Sequence, residues 1–376
     1  MNKNKISQSI FNKVETQSSK QYSIIVSCDD FLSVKHYLIK NHFKFTPYRF
    51  SNCFCLNCSR SDLYELSNHC AINYIYPNIS VFTLDSKSTL PLTRQEKEYI
   101  HYSALVQDKF YGQGQTICFI DTGIYPHLDF ILPYNRIIKF VDLLNNYSTP
   151  YDDNGHGTFV SGLACGGGIY SNQNKGFAPY SNIVVIKALD KNGSSTSNVI
   201  LDAMEWIYQY HKVYNIDIVC MSIGANVESD FDPLSKGAEA LWRKGITVIS
   251  AAGNGGPSQQ TIMSPGNNPN IITVGGLDCI SHSVATFSSR GPTPFGSKPD
   301  LIAPAINIIS CNNSFPPYTT MSGTSVATPI VAGLSAVIKS KFPNIKNKEL
   351  KDFLIHHCTK LTGDKNSEGA GYINFE

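Results

Sequence analysis

The feature that most limits how this chain can fold is a set of short, largely apolar runs at 116–120, 182–188, 216–221, 247–252 and 271–274, separated by longer stretches of helical pattern such as 197–210 and 232–244. Within the runs hydrophobic residues follow one another instead of alternating with polar ones. Strands of that kind are buried on both faces, which calls for helices packed on either side of a mostly parallel sheet. An α/β domain is therefore expected over residues 100–376, with no internal repeat.

Residues 21–85 have a different texture. The spacing predicts a strand at 22–26 and a helix at 31–43 with Phe31, Val34, Tyr37 and Leu38 on one face. A strand at 48–56, a short helix at 61–67 capped by Ser61, and one or two strands within 72–84 follow. The succession β-α-β-β-α-β is that of a small α+β, ferredoxin-like domain. Residues 1–20 before it read as a polar tail, and the polar residues 86–99 after it read as a linker.

Composition removes several classes of function. A formal net charge of +2 over 376 residues, without a basic run or an acidic tail, offers nothing to attract nucleic acid or an anionic membrane. The N-terminus lacks the apolar core of a secretion signal, and no run reaches the roughly 18 apolar residues of a membrane span. A soluble, cytoplasmic protein is expected. Eleven cysteines, odd in number and scattered, fit reduced thiols. Cys53, Cys55, Cys58, His69 and Cys70 form a candidate zinc set. Cys53 and Cys55 stand two apart on a strand and share a face, however, so buried thiols are expected there.

Four motifs carry chemistry. In Ile117-Cys118-Phe119-Ile120-Asp121-Thr122-Gly123 an apolar strand ends on a carboxylate, at the end of a parallel strand that faces the ligand crevice. In Asn154-Gly155-His156-Gly157-Thr158 glycines flank a histidine at the start of a helix of small residues and allow close backbone approach. In Ser250-Ala251-Ala252-Gly253-Asn254-Gly255-Gly256 a buried strand delivers an amide between glycines. In Met321-Ser322-Gly323-Thr324-Ser325-Val326-Ala327-Thr328-Pro329 a serine opens a long apolar helix, where its own N–H is unpaired and can stabilise an oxyanion. Each motif alone has an ordinary structural reading: a strand end, an exposed histidine, a turn asparagine, a helix cap.

Together, in the order Asp121, His156, Asn254, Ser325, they resemble the subtilisin-like serine proteases, and the order Asp-His-Ser separates them from chymotrypsin-like and α/β-hydrolase enzymes. The resemblance covers about residues 100–376 and includes Gly176-Phe177-Ala178-Pro179, Phe287-Ser288-Ser289-Arg290-Gly291-Pro292 and Lys298-Pro299-Asp300-Leu301-Ile302-Ala303-Pro304. It implies a three-layer fold, a triad of Asp121, His156 and Ser325, and an oxyanion hole from the Asn254 amide and the Ser325 N–H. It further implies an edge strand, Ser222-Ile223-Gly224, with Gly193 and Ser194 opposite, between which an extended peptide adds as a strand. Ala251, Ala252, Gly253 and Met263 are expected to line a neutral pocket for the residue before the cut. Phe159 and Val326 stand where many relatives have histidine and methionine, and are read as packing variation.

By the same resemblance residues 21–85 are a propeptide, an inhibitor and folding aid, with self-cleavage expected in the linker between about Asp85 and Ile100. Many relatives bind calcium in the loop after the histidine helix. Here that loop, 166–176, has no carboxylate, so no metal site and no cofactor are expected. The expected partners are peptide or protein substrates and the propeptide. Two other readings stay open: a protease-like binding module, against which the intact triad speaks, and an esterase or acyl-transfer enzyme, against which the peptide-pairing strand speaks.

Overall fold

The structure is a computed structural model that describes residues 2–16, 21–87, 96–227 and 232–376. Residues 17–20 of the expected tail and 88–95 of the expected linker lie outside the described residues.

A ten-stranded sheet runs through the larger domain. Ile137–Asp142, Asn182–Lys187, Thr116–Asp121, Ile216–Met221, Thr247–Ala251, Ile272–Asp278 and Leu301–Pro304 lie parallel in that spatial order. The apolar runs exist because both faces are covered. Ile117 and Phe119 point into a core with Val160, Ala164, Ile330 and Leu334, from the helices His156–Cys165 and Thr324–Lys341. Cys118 and Ile120, one residue out of phase, point into a second core with Leu201, Met204, Leu234 and Leu241, from Ser197–Tyr210 and Pro233–Arg243. The chain order reverses at Thr116–Asp121: the next two strands stack on one side of it and the following four on the other. Ligands bind in open α/β sheets at such a switch point, outside the carboxyl ends of the strands. Asp121 is the last residue of that strand.

The N-terminal domain has a four-stranded antiparallel sheet in the order Phe45–Tyr48, Cys53–Cys58, Tyr22–Cys28, Ile72–Pro77, with helices Phe31–Lys40 and Arg60–Asn68. Its second helix is capped by Ser59 in a capping box with Asp62, two residues before the expected Ser61. The first residues are more than a polar tail: Gln8–Thr16 is helical, and Ile6, Ile10 and Val14 are buried with Ile24, Val26 and Leu38. Three apolar residues spaced by four in an otherwise polar stretch are enough to dock it. Ile25, Tyr48, Cys53 and Tyr76 instead pack into the second core of the larger domain. The Tyr48 hydroxyl lies 2.8 Å from Asp202 Oδ1 and 3.0 Å from the main-chain oxygen of Asn198. Cys53 and Cys58 therefore enter different cores and do not converge.

Candidate active site

Asp121 Oδ1 lies 2.7 Å from Nδ1 of His156, and both residues are buried. The helix that begins at His156 sits close against the Asp121 turn. A Cβ on Gly157 would lie 2.1 Å from the oxygen of Gly123, so only glycine fits. Asp152, which the sequence reading did not single out, locks this junction. Its buried carboxylate accepts from Thr122 Oγ1 and from the main-chain N–H groups of Asn154, Gly155 and Thr158, as well as from Thr158 Oγ1. The strand that carries Asp121 and the helix that carries His156 thus share one carboxylate. The available signal was an aspartate four residues before His156 in a turn rich in backbone donors.

Ser325 is the second residue of Thr324–Lys341, after Gly323 at φ 152°. Pro329 has no N–H to give to the carbonyl of Ser325, four residues back. Ser222 Oγ donates to that carbonyl at 2.9 Å instead, tying the segment before Ile223–Gly224 to the helix of Ser325. Asn254 is oriented by Thr324, whose N–H and Oγ1 both donate to Oδ1, at 3.0 and 2.9 Å. Its Nδ2 then faces the crevice.

The chain itself fills this crevice. Ser80–Thr83 forms the middle strand between Ser194–Thr196 and Ile223–Gly224, with Phe82 opposite Ser194 and Gly224 and Thr83 opposite Ile223. Thr83 N–H donates to the oxygen of Gly193 at 3.0 Å. The next carbonyl, that of Leu84, meets three donors: Asn254 Nδ2 at 2.7 Å, the Ser325 hydroxyl at 2.6 Å and the Ser325 N–H at 3.4 Å. Ser86–Lys87 continues as a strand on Tyr318–Ser322. The bond at Ser325 is Leu84–Asp85, at the near edge of the range expected from the sequence, because strand pairing ends at Thr83 and delivers the next carbonyl.

The buried Leu84 side chain lies against Gly224, where an added Cβ would come within 2.9 Å of both Leu84 Cδ1 and Met263 Sδ. Gly253 touches Met263 in the same way, and the Met263 N–H donates to the oxygen of Ala252. Ala251 ends the strand beneath. Phe159 and Val326 pack together with Leu163, Ile308 and Met321. A cavity of about 620 Å³ lies away from this crevice, between Phe50–Asn52 and the 233–243 helix.

Nε2 of His156 is buried and has no hydrogen-bond partner among the described residues. Asp85 Oδ1 lies 3.7 Å from it. Burial alone would lower the imidazole pKa. The carboxylates of Asp121 and Asp85 outweigh it and push the pKa up to about 9.

His127, Asp129 and Cys311 are the one cluster among the described residues with metal-ligand chemistry. Both ring nitrogens of His127 are engaged: Nδ1 takes the Asp129 N–H, and Nε2 lies 2.9 Å from the oxygen of Pro317. The Asp129 carboxylate accepts from Gly168 N, Ile169 N and the Tyr318 hydroxyl. These donors occupy the carboxylate lone pairs that a cation would need. The loop after the histidine helix is thus held by its own amides.

The sequence profile of the subtilase family matches residues 112–372. The chain belongs to the subtilase family. It is 37% identical to the serine protease AprX of Bacillus subtilis over 97% of this chain and 89% of that one. It is 34% identical to the thermophilic serine proteinase of a Bacillus species, over 70% of this chain and 61% of that one. It is 32% identical to subtilisin DY of Bacillus licheniformis, over 70% and 90%. This subtilase is a serine-type endopeptidase. Among the described residues no helix is long and apolar enough to cross a membrane.

Proposed function

We propose that this subtilase is made as a self-processing zymogen, with Asp121, His156 and Ser325 as its triad and Leu84–Asp85 as its first substrate bond. The observation that carries the reading is the Leu84 carbonyl oxygen, which takes Asn254 Nδ2 at 2.7 Å while Ser325 stands beside it.

In the reaction Ser325 Oγ bonds to the Leu84 carbonyl carbon as His156 Nε2 takes the hydroxyl proton. Asp121 holds the proton on Nδ1 and stabilises the imidazolium. The carbonyl oxygen becomes negative between the Asn254 amide and the Ser325 N–H. The bond to the Asp85 nitrogen then breaks, and His156 gives that nitrogen its proton. Water adds to the Leu84 acyl carbon as His156 takes its proton; the bond to Ser325 Oγ then breaks and His156 returns the proton to that oxygen. The released strand 80–84 keeps its main-chain pairing and so acts as a product inhibitor.

Substrates of other sequences are read the same way. Main-chain pairing with Gly193, Ser194, Ile223 and Gly224 tolerates many side chains, and the pocket beside Met263 favours an apolar residue before the bond, as Leu84 illustrates. Scattered cysteines fit a reducing compartment, and the cytoplasm is the proposed location. The test is hydrolysis of quenched peptides with leucine before the cut. Ser325→Ala should lower it by about a millionfold. Unchanged hydrolysis by folded Ser325→Ala protein overturns the triad.

A further inference from the structure

The residue just after the scissile bond is an acid, and its side chain turns toward the catalytic base. Asp85 is 14% exposed, and its Oδ1 lies 3.7 Å from the buried Nε2 of His156, the atom that must accept the Ser325 proton. Three carboxylates act on the imidazole: Asp121 from the central strand, Asp85 from the segment in the crevice, and Asp152 from the turn before the helix. Lys187, opposite Asp121 on the neighbouring strand, is engaged elsewhere. Lys187 Nζ is held by Asp153 and by the carbonyl oxygens of Thr122 and Leu189. The Ser325 hydroxyl donates to Leu84 and leaves Nε2 to Asp85.

We propose that Asp85 is a brake on self-cleavage: with Leu84–Asp85 in the crevice, its carboxylate holds His156 in the imidazolium form, which cannot take the Ser325 proton. The inference rests on the reading that Leu84–Asp85 is the bond cut. A base with three acids around it in a buried site keeps its proton to higher pH than a base with two, because opposite charges attract strongly where water is excluded. Within this chain the brake acts only before the cut. After the cut Asp85 is a chain terminus, free to leave with its segment, and His156 is left with Asp121 and Asp152. Self-processing therefore needs a higher pH than the peptidase activity it releases. By the same geometry, foreign substrates with an acidic residue just after the bond are cut slowly at neutral pH.

The experiment uses the full chain and Asp85→Asn, which keeps the shape and removes the charge. In the Ser325→Ala background, where the chain stays whole, the His156 ring nitrogens are titrated by NMR with and without Asp85→Asn. With Ser325 present, self-cleavage is followed by intact mass from acid to alkaline pH. Asp85→Asn should lower the His156 pKa by about one unit and speed self-cleavage about tenfold below neutral pH. The two rates should converge at alkaline pH, where the imidazole is neutral in both. An unchanged His156 pKa overturns the proposal. So does a lowered pKa with rates that differ by the same factor at every pH, which would make Asp85 a matter of subsite fit. If neither chain cuts itself at any pH while both hydrolyse peptides, the zymogen reading falls and the brake falls with it, whatever the titration gives.

Discussion

Asn254 reaches the carbonyl oxygen of Leu84 with Nδ2 at 2.7 Å, and it can do so because its other amide atom is held twice by Thr324. The donor is fixed before any charge develops. Asn254→Ala should lower kcat by roughly a hundred- to a thousandfold with little change in KM, read by steady-state peptide hydrolysis. A rise in KM alone would assign Asn254 to substrate binding.

Gly224 sets the width of the pocket that holds Leu84. A Cβ there would stand 2.9 Å from both the leucine and Met263, closer than side-chain carbons pack. Gly224→Val should cut kcat/KM for peptides with leucine or larger before the bond by about tenfold or more while sparing alanine, since loss of buried contacts of this size is worth 1–3 kcal/mol. A peptide library compared between the two enzymes reads the shift.

Asp152 ties the acid's strand to the base's helix through five donors. Asp152→Ala would leave these donors buried without an acceptor. In the Ser325→Ala background it should lower stability by about 3 kcal/mol in urea unfolding, and in the active chain it should depress hydrolysis as His156 loses its register with Asp121.

With Asp85 in place, the His156 pKa of about 9 lies above the unfolded value of about 6.5. Such a group contributes stability that is fully present below the unfolded pKa and is lost as pH rises through the folded one. Since Asp85→Asn lowers the folded pKa by about one unit and leaves the unfolded one alone, the stability advantage of full-length Ser325→Ala over the same chain with Asp85→Asn should be constant below about pH 8 and be lost between about pH 8 and 9. Lys298, whose pKa burial pushes down to about 7, is common to both chains and cancels in that difference. A difference that does not change with pH would contradict the pairing.

The central sheet was legible because strands covered on both faces leave continuous apolar runs, and the site was legible because glycines must flank groups that approach so closely. The N-terminal domain announced itself through its alternation of strand and helix patterns. Other features left weak traces. Asp152 looked like any turn aspartate until the donors around it were in place. The dependence of Ser222 on Pro329 is a relation between residues about a hundred positions apart. The helix Gln8–Thr16 rests on a few apolar residues whose burial only the docked sheet supplies. The cut was expected in a polar linker, by the general susceptibility of such segments. Strand pairing, which sets register one residue at a time, brings the Leu84–Asp85 bond, at the edge of that range, to Ser325.

The most direct test of the account is the mass of the fragments that the purified wild-type chain yields at mildly alkaline pH. A small fragment ending at Leu84 and a large one beginning at Asp85 are expected, and neither from Ser325→Ala. A cut within 88–95, or a wild-type chain that stays whole while hydrolysing peptides, would contradict it.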